Sequence, residues 1–434
     1  MNIRHLYNLF LTSSGVITDS RKVVKNSMFF ALKGDNFDGN TFAKDALESG
    51  ALCAVVDDKN LPENPKFFKV DDVLASLQKL AKLHRNELGI PVVGLTGTNG
   101  KTTTKELITA VLGTKYKVCS TGGNFNNHIG VPLTLLSMDK SVQIAVIEMG
   151  ASSKGEIELL SNIACPDVGL VTNVGKAHLL GFGSFEGVMK TKGELYDYLF
   201  INNGLAFYNA DNPFLTGMIA LREGLRTKKY GAELEGYKIE KSSSDNPFLR
   251  LRCPGGRVIK SNLIGNYNAD NIIASLTVGS YYQIEPEKAA KAIEAFIPSN
   301  NRSQLMKGKY NTLIIDAYNA NPSSMKVSLD NFRSISAKTK ALIIGDMLEL
   351  GEESKNEHKV ILNLIQEMNP DKLYFVGKEF RNAAAESNFF ETRALFFETS
   401  NLLKDYLLEN PIKEFTVLIK GSRGTRLENT IEAL

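Results

Sequence analysis

The chain has 434 residues, 43% hydrophobic and 23% charged, enough apolar material to bury several cores and too much for a disordered tail. Its 51 Lys and Arg against 48 Asp and Glu leave a formal charge of +3, which excludes a grip on nucleic acid through overall charge and leaves only local anion sites. Cys53, Cys119, Cys165 and Cys253 lie far apart with no CxxC pair, which argues against a zinc knuckle and a disulfide framework and suits a reducing cytosol.

Met1 to Leu11 lacks the apolar core and small-residue cleavage site of a secretory signal. No later stretch approaches the roughly 18 apolar residues of a membrane span, so a cytoplasmic protein without membrane insertion is expected. Ser20 to Val56 mixes short apolar pieces with turns. The polar loop Gly34 to Asn40 precedes a helical stretch around Phe42 to Leu47, in a small α/β unit that ends near Arg85 to Leu88. From Pro91 the rhythm changes. Strand-like Val92 to Thr96, a glycine-rich turn, a helix to about Leu112, strand-like Val142 to Ile147, a helix from Gly155 and strand-like Val168 to Val174 predict parallel βαβ units.

Tyr237 to Ile264 reads as a short antiparallel appendage around Pro254-Gly255-Gly256. Helices are expected over Asn266 to Ser280 and Pro286 to Phe296. The turn-rich Pro298 to Asn301 marks a boundary. Beyond it, strand-like Thr312 to Ile315, Ala341 to Ile344, Leu373 to Val376 and Phe415 to Ile419 alternate with helical segments, which predicts a second doubly wound sheet.

Gly97-Thr98-Asn99-Gly100-Lys101-Thr102-Thr103 lies between a predicted strand and a predicted helix. Glycines let backbone N–H groups turn toward an anion and the helix N-terminus adds its dipole. Lys101 reaches outer phosphates and the Thr102 hydroxyl suits magnesium. The spacing departs from the strict GxxxxGK[ST] pattern, since residue 95 is Leu and the glycines fall at 94, 97 and 100.

Ligands of open parallel sheets bind beyond the carboxyl ends of the strands. Glu148 ends one apolar run and His178 follows another by four residues, so both are candidates to face the glycine loop. The alternatives are a strand-end cap and a loop histidine. Lys192 falls on the stripe of Phe185, Val188, Leu195 and Leu199, where a cation is costly to bury, whereas Lys190 and Glu194 have the spacing to pair with each other. Either the Lys192 stem packs and its ammonium reaches water, or it points into a site. Three further polar strand ends, Asp316 to Pro322, Gly345-Asp346 and Lys420-Gly421-Ser422-Arg423, read as caps and turns or as a second binding face.

The glycine loop, together with Glu148-Met149-Gly150, Asn173-Val174-Gly175-Lys176-Ala177-His178 and Lys192-Gly193-Glu194, resembles the Mur ligases, ATP-dependent amide-forming enzymes. The likeness covers nearly the whole chain. It implies an α/β fold of three domains: a small N-terminal α/β domain for a UDP-sugar over 1–88, a central P-loop ATPase domain with a parallel sheet over 89–298, and a C-terminal Rossmann-like domain over 299–434 that closes over the amine substrate and ATP. Thr18-Asp19-Ser20-Arg21, Asn124-Phe125-Asn126-Asn127, Asp316 to Pro322, Gly345 to Gly351 and Lys420 to Arg423 resemble the members that join D-alanyl-D-alanine to a UDP-N-acetylmuramoyl-tripeptide through an acyl phosphate.

By the same resemblance, Gly97 to Thr103 cradle the phosphates of ATP, with Lys101 as a catalytic cation. Thr102 and Glu148 serve one magnesium ion and His178 a second. Lys192 is carbamylated and helps to hold metal. Asn271, Arg302, Asp316 and Tyr318 contact the nucleotide, Ser20 and Arg21 the uridine side, and Asn126 and Asn127 the sugar-peptide side. Lys420, Ser422 and Arg423 belong to the amine-substrate side. Asn40 stands where relatives often carry His, and Gly424-Thr425-Arg426 departs from the commoner run. The members that add the third amino acid of the peptide are the nearest alternative; Asp211-Asn212-Pro213 and Asp245-Asn246-Pro247 lack the Arg of their Asp-Asn-Pro-Arg motif. Outside the family, a P-loop ATPase or kinase and a non-catalytic nucleotide scaffold remain as alternatives. A monomer is expected, and no readable motif distinguishes lysine from a diamino acid in the tripeptide.

Overall fold

The computed structural model describes residues 3–240, 247–298, 302, 304–385 and 387–434. Residues 299–301 of the expected boundary, and 245 and 246 of the second Asp-Asn-Pro, lie outside these. Three parallel or mostly parallel sheets follow one another along the chain. The first runs Val16–Ile17, Met28–Phe30, Cys53–Val56, Phe67–Lys69, all parallel. Helix Val73–Leu88 then leads to the second sheet. Asp72 caps it by accepting from Ala75 N at 2.8 Å, and Gly89, at φ 62°, ends it. Val73, Leu77 and Leu80, one helical face, are fully buried, each contributing about 2 kcal/mol.

This helix belongs to both units. On the second-sheet side Arg85, 6% exposed, donates to the carbonyls of Ala164 and Cys165 at 3.2 and 3.1 Å and to Asp167 Oδ2 at 2.7 Å. The same Asp167 oxygen accepts from Val92 N, where the central strand begins. His84 bonds the Met138 carbonyl at 2.8 Å and lies 3.3 Å from the Tyr7 hydroxyl.

The second sheet has the order Arg226–Tyr230, Leu205–Asn209, Val168–Val171, Val92–Thr96, Ile144–Glu148, Val118–Ser120, and its neighbouring strands are all parallel. The strand that feeds the glycine loop is therefore flanked by the strands leading to Glu148 and to residues 172–178. The chain leaves the sheet at Val171 rather than at Val174, because the next residues turn to bond the glycine loop. The antiparallel appendage is present as Lys238–Glu240, Phe248–Arg252 and Val258–Ile264. Helices Asn268–Tyr281 and Pro286–Ala295 pack beside it and on the loop helix Lys101–Leu112. The expected Lys190–Glu194 pair does not form. Glu194 instead accepts from Gly155 N and Glu158 N at 2.9 Å each, capping helix Glu156–Ala164, where free N–H groups and the helix dipole draw a carboxylate.

The third sheet has the order Gln304–Lys307, Thr312–Asp316, Thr416–Lys420, Lys340–Gly345, Lys372–Val376, Ala394–Phe397. Its first strand is an antiparallel edge that the expected doubly wound pattern did not include. Among the described residues no helix is long and apolar enough to cross a membrane. Replacing Arg85 with Ala removes its bonds across the first junction and is expected to lower unfolding free energy by about 2 kcal/mol, measured by urea denaturation; an unchanged midpoint would contradict this role.

Candidate functional site

Gly97 and Gly100 take φ values of +148° and +76°, backbone that L side chains rarely adopt. A Cβ on Gly97 would meet the Thr172 side chain and backbone, and one on Gly100 would meet the Asn271 amide. The loop is held from the neighbouring strand end. Thr98 N donates to the Asn173 carbonyl and Asn99 N to Asn173 Oδ1, both at 2.9 Å, while Thr172 Oγ1 and Asn173 Nδ2 donate to the Asn99 carbonyl at 2.7 and 3.0 Å. Below the loop, Asn271 accepts from Thr104 Oγ1 at 3.0 Å and donates to Asn268 at 2.9 Å. Lys101 Nζ donates to the carbonyls of Gly97 and Thr98. Burial draws its pKa down against the pull of Glu148.

Glu148 is 1% exposed. One oxygen, Oε1, accepts from Asn126 Nδ2 at 2.8 Å and from Thr102 Oγ1 at 3.2 Å. The other, Oε2, is buried without a hydrogen-bond partner. An orphaned carboxylate oxygen beside a threonine hydroxyl and an anion loop fits a hard divalent cation. The described residues hold no group of three or more His, Cys, Asp or Glu able to bind a metal alone, so phosphate and water oxygens would have to complete such a shell.

His178, at φ 48°, precedes the short helix Leu179–Phe182. Its Nδ1 contacts Glu349 Oε2 from the third sheet's unit. Burial lowers its pKa while Glu349 opposes the shift, favouring the neutral imidazole. Lys192 is 2% exposed and forms no ion pair among the described residues. Its ammonium lies 5.3 Å from the centre of the buried Phe182 ring. Burial first, then repulsion from Lys101, pushes its pKa down to about 7, against the attraction of Glu156 and Glu194. The Lys192 ammonium therefore does not reach water, against the reading in which only its stem packs.

These loops line a cavity of about 710 Å³ between the second and third units. Thr98, Asn99, Gly100, Lys101, Thr102, Thr103, Glu148, His178 and Asn271 line it, as do Asn126 and Asn127. From the other side come Arg302, Asp316, Tyr318 and Lys420. The third sheet's parallel register sets Asp316 against Lys420, and their side chains pair at 2.6 Å with Lys420 1% exposed. The Arg302 guanidinium stacks 3.7 Å from the Tyr318 ring centre, its Nε buried without a partner, a donor suited to an anion. Neither Gly97 nor Lys192 lines the cavity.

Other expected residues lie elsewhere. Ser422 accepts from Leu348 N and donates to the Ala320 carbonyl, tying two loops together, and Arg423 covers the other side of Tyr318 at 5.1 Å. Ser20 and Arg21 sit on a short turn of the first unit, where Arg21 is paired with Asp19 at 2.8 and 2.9 Å. Asn40 is buried and bonds Asp38 and Asp57 at 2.8 Å each, so its amide stiffens that unit. Residue reading assigned no role to Glu349, Glu357, Asn321 or Ser323, although Asn321 stands inside the polar Asp316 to Pro322 stretch; Asn321 Nδ2 donates to Asn99 Oδ1 across the cavity at 2.8 Å.

Comparison with known proteins agrees with this layout. Residues 12–87 match the model of the Mur ligase family catalytic domain, 95–279 that of the Mur ligase middle domain, and 301–423 that of the Mur ligase glutamate ligase domain. The UDP-N-acetylmuramoyl-tripeptide–D-alanyl-D-alanine ligase of Bacillus subtilis (strain 168) is 39% identical over 97% of this chain and 93% of its own. The crystal structure of MurF from Acinetobacter baumannii has a TM-score of 0.86 at 28% identity, covering 97% of this chain and 96% of its own. That of MurF ligase from Thermotoga maritima in complex with ADP has a TM-score of 0.85 at 28% identity, covering 98% and 97%. With an anion loop, an orphaned carboxylate and an inward lysine arranged in three α/β units that these relatives share from end to end, the chain belongs to the Mur ligase family.

Proposed function

We propose that the protein joins D-alanyl-D-alanine to the terminal carboxylate of a UDP-N-acetylmuramoyl-tripeptide, with cleavage of ATP to ADP and phosphate, in peptidoglycan precursor synthesis. The observation that carries this reading is the cavity itself: a phosphate loop on one wall and a Lys–Asp pair with a stacked Arg–Tyr on the other, in a chain that matches named ligases of this reaction over nearly its whole length. Residues 1–88 take the UDP-sugar, 89–298 the ATP and the acyl chemistry, and 299–434 the amine and closure. Ser20 and Arg21 serve the uridine side, Asn126 and Asn127 the sugar-peptide side, and Lys420, Ser422 and Arg423 the amine side.

The loop N–H groups and Lys101 hold the phosphates of ATP, while Asn271, Arg302, Asp316 and Tyr318 bound the nucleotide. The tripeptide carboxylate takes the γ-phosphoryl group to form an acyl phosphate and ADP. The neutral amine of the dipeptide attacks the acyl carbon, and the tetrahedral intermediate expels phosphate. Such transfer depends on alignment and charge neutralisation more than on covalent participation by the protein. Thr102 and Glu148 would hold one magnesium ion and His178 a second, and when bound these would supply the neutralising charge.

Lys192 supports a further element. With its pKa near 7 a large share of its amine is neutral at physiological pH, and a neutral amine adds to carbon dioxide, releasing one proton and leaving a carbamate anion. That change replaces an unpaired buried cation with an anion near Lys101 and His178, where it helps to hold metal. The substrates are water-soluble nucleotide derivatives, which supports a cytoplasmic enzyme.

Phosphate release is expected only when ATP, magnesium, the UDP-tripeptide and D-alanyl-D-alanine are all supplied; equal release without the dipeptide would favour a simple ATPase and overturn the reading. Gly100→Ala, which places a methyl group against Asn271, is expected to weaken nucleotide affinity about tenfold, the equivalent of ~1.4 kcal/mol, in isothermal titration, with the fold intact by circular dichroism. Incubation with ¹³C-bicarbonate is expected to give a carbamate resonance that is absent in Lys192→Ala. The signal should fade as pH falls below about 7, since protonation of the amine removes the nucleophile; a signal that persists in Lys192→Ala would assign it elsewhere.

A further inference from the structure

The central and C-terminal units meet where Phe248 and Ile264 pack into the third sheet's core, and where residues 175–182 face helix Pro322–Ser334, the Gly351–Glu353 turn and helix Ser354–Met368. Helix Pro322–Ser334 opens with a capping box in which Asn321 Oδ1 accepts from Ser324 N at 2.8 Å. Asn321 Nδ2, which takes no part in the capping box, donates to Asn99 Oδ1 of the phosphate loop. Two residues on, Ser323 Oγ accepts the backbone N–H of Lys176 at 3.0 Å. These bonds exist only while the third unit rests against the second, so something must hold that pose long enough for them to matter.

Lys176 Nζ reaches Glu357 Oε1, on helix Ser354–Met368, at 2.6 Å. The Lys176 side chain is 52% exposed, but that of Glu357 only 8%. An ion pair exposed at both ends contributes little. A carboxylate buried to this degree is costly to leave without its cation, which makes separation of the two units unfavourable at this point. Glu357 also stands next to His358, whose Nε2 accepts from Met347 N at 3.1 Å. Leu348 N, one residue further, donates to Ser422 Oγ. The pair is thus continuous, through one helix turn and two backbone bonds, with the loop that carries Glu349 and with the Lys420 to Arg423 strand end.

We propose that Lys176 is a positioning residue whose ion pair with Glu357 latches the C-terminal unit in the closed pose, where Asn321 meets the phosphate loop and Glu349 meets His178. Neither Lys176 nor Glu357 lines the cavity, so the latch acts through the pose of the unit and not through contact with reacting atoms. Helix Leu179–Phe182 of the central unit also lies against the Gly351–Glu353 turn of the third unit. Because closure is a population balance, loss of the latch shifts that balance open and lowers the fraction of nucleotide-bound enzyme ready for reaction. This inference rests on the ligase reading above and extends it to domain closure.

The test uses the full chain and four variants: Lys176→Glu, Glu357→Lys, the double reversal, and Lys176→Met. Small-angle scattering with ADP and magnesium reads the pose without either acceptor substrate, and initial-rate kinetics with all substrates separate kcat from KM. Lys176→Glu is expected to enlarge the radius of gyration and lower kcat about tenfold with KM for the UDP-tripeptide little changed. Lys176→Met should shift both in the same direction, less strongly, with an unaltered melting temperature that excludes misfolding. The double reversal should recover most of the lost compaction and rate. Wild-type scattering and kcat in Lys176→Glu, or a double reversal no better than either single change, would overturn the latch. Failure of the ligase reading would look different: no wild-type turnover, with the scattering differences still present.

Discussion

Gly97 and Gly100 bring their backbone so close to Thr172 and Asn271 that a methyl group at either position would collide. Much of the site follows from that approach. The loop's own Lys101 and Thr98 side chains bond its carbonyls and Gly175, the adjacent strand end braces it through Asn173, and the helix Asn268–Tyr281 braces the helix that follows it through Asn271. With its N–H groups fixed, the loop becomes a preorganised anion cradle at a helix N-terminus. The strands on either side of its own can then deliver Glu148 and His178 to the same place. The position is the carboxyl edge of a parallel sheet, where open α/β folds gather ligands.

Charge is managed differently at each buried cation, and the differences carry the chemistry. Lys420 is matched by Asp316 and needs no ligand to be stable. Arg85 is matched by Asp167 and two carbonyls, and it serves only to join two units. Lys192 has no such partner, and burial therefore moves its titration toward neutrality. Glu148 keeps one oxygen unpaired in the opposite sense. Unmatched groups are expensive in a protein interior unless a ligand or modification completes them. Glu148 lines the cavity, and Lys192 stands within electrostatic reach of Lys101, which also lines it; such local concentration, rather than overall charge, is what a chain of formal charge +3 offers to phosphates.

Sequence reading went far where a residue's position in its own element was informative. Glu148 and His178 were recognisable from their places after apolar runs, and Lys192 from its place on an apolar stripe. It failed where the partner came from another element. Lys190 and Glu194 have the right spacing to pair, yet the N-terminus of helix Glu156–Ala164 claims Glu194. Glu357 looks like an exposed helical acid in sequence, yet its side chain is 8% exposed and its cation, Lys176, comes from the second unit. Ser422 bonds Leu348 and Ala320, partners on two other loops that local spacing does not reveal.

By itself the sequence determined the alternation of strands and helices, the glycine loop, and the identity of the polar groups that end the strands, because these depend on periodicity and on the local chemistry of Gly, Lys and Thr. Its likeness to a known family supplied roles for those groups. The tertiary structure decided which strand ends are neighbours, since strand order is a long-range property that no local spacing encodes. It decided that one oxygen of Glu148 stays unpaired, that Asn40 is a packing residue, and that Asn99 and Asn321, 222 positions apart, share a hydrogen bond. Those facts arise from burial and from the meeting of separate units, which exist only once the chain has folded.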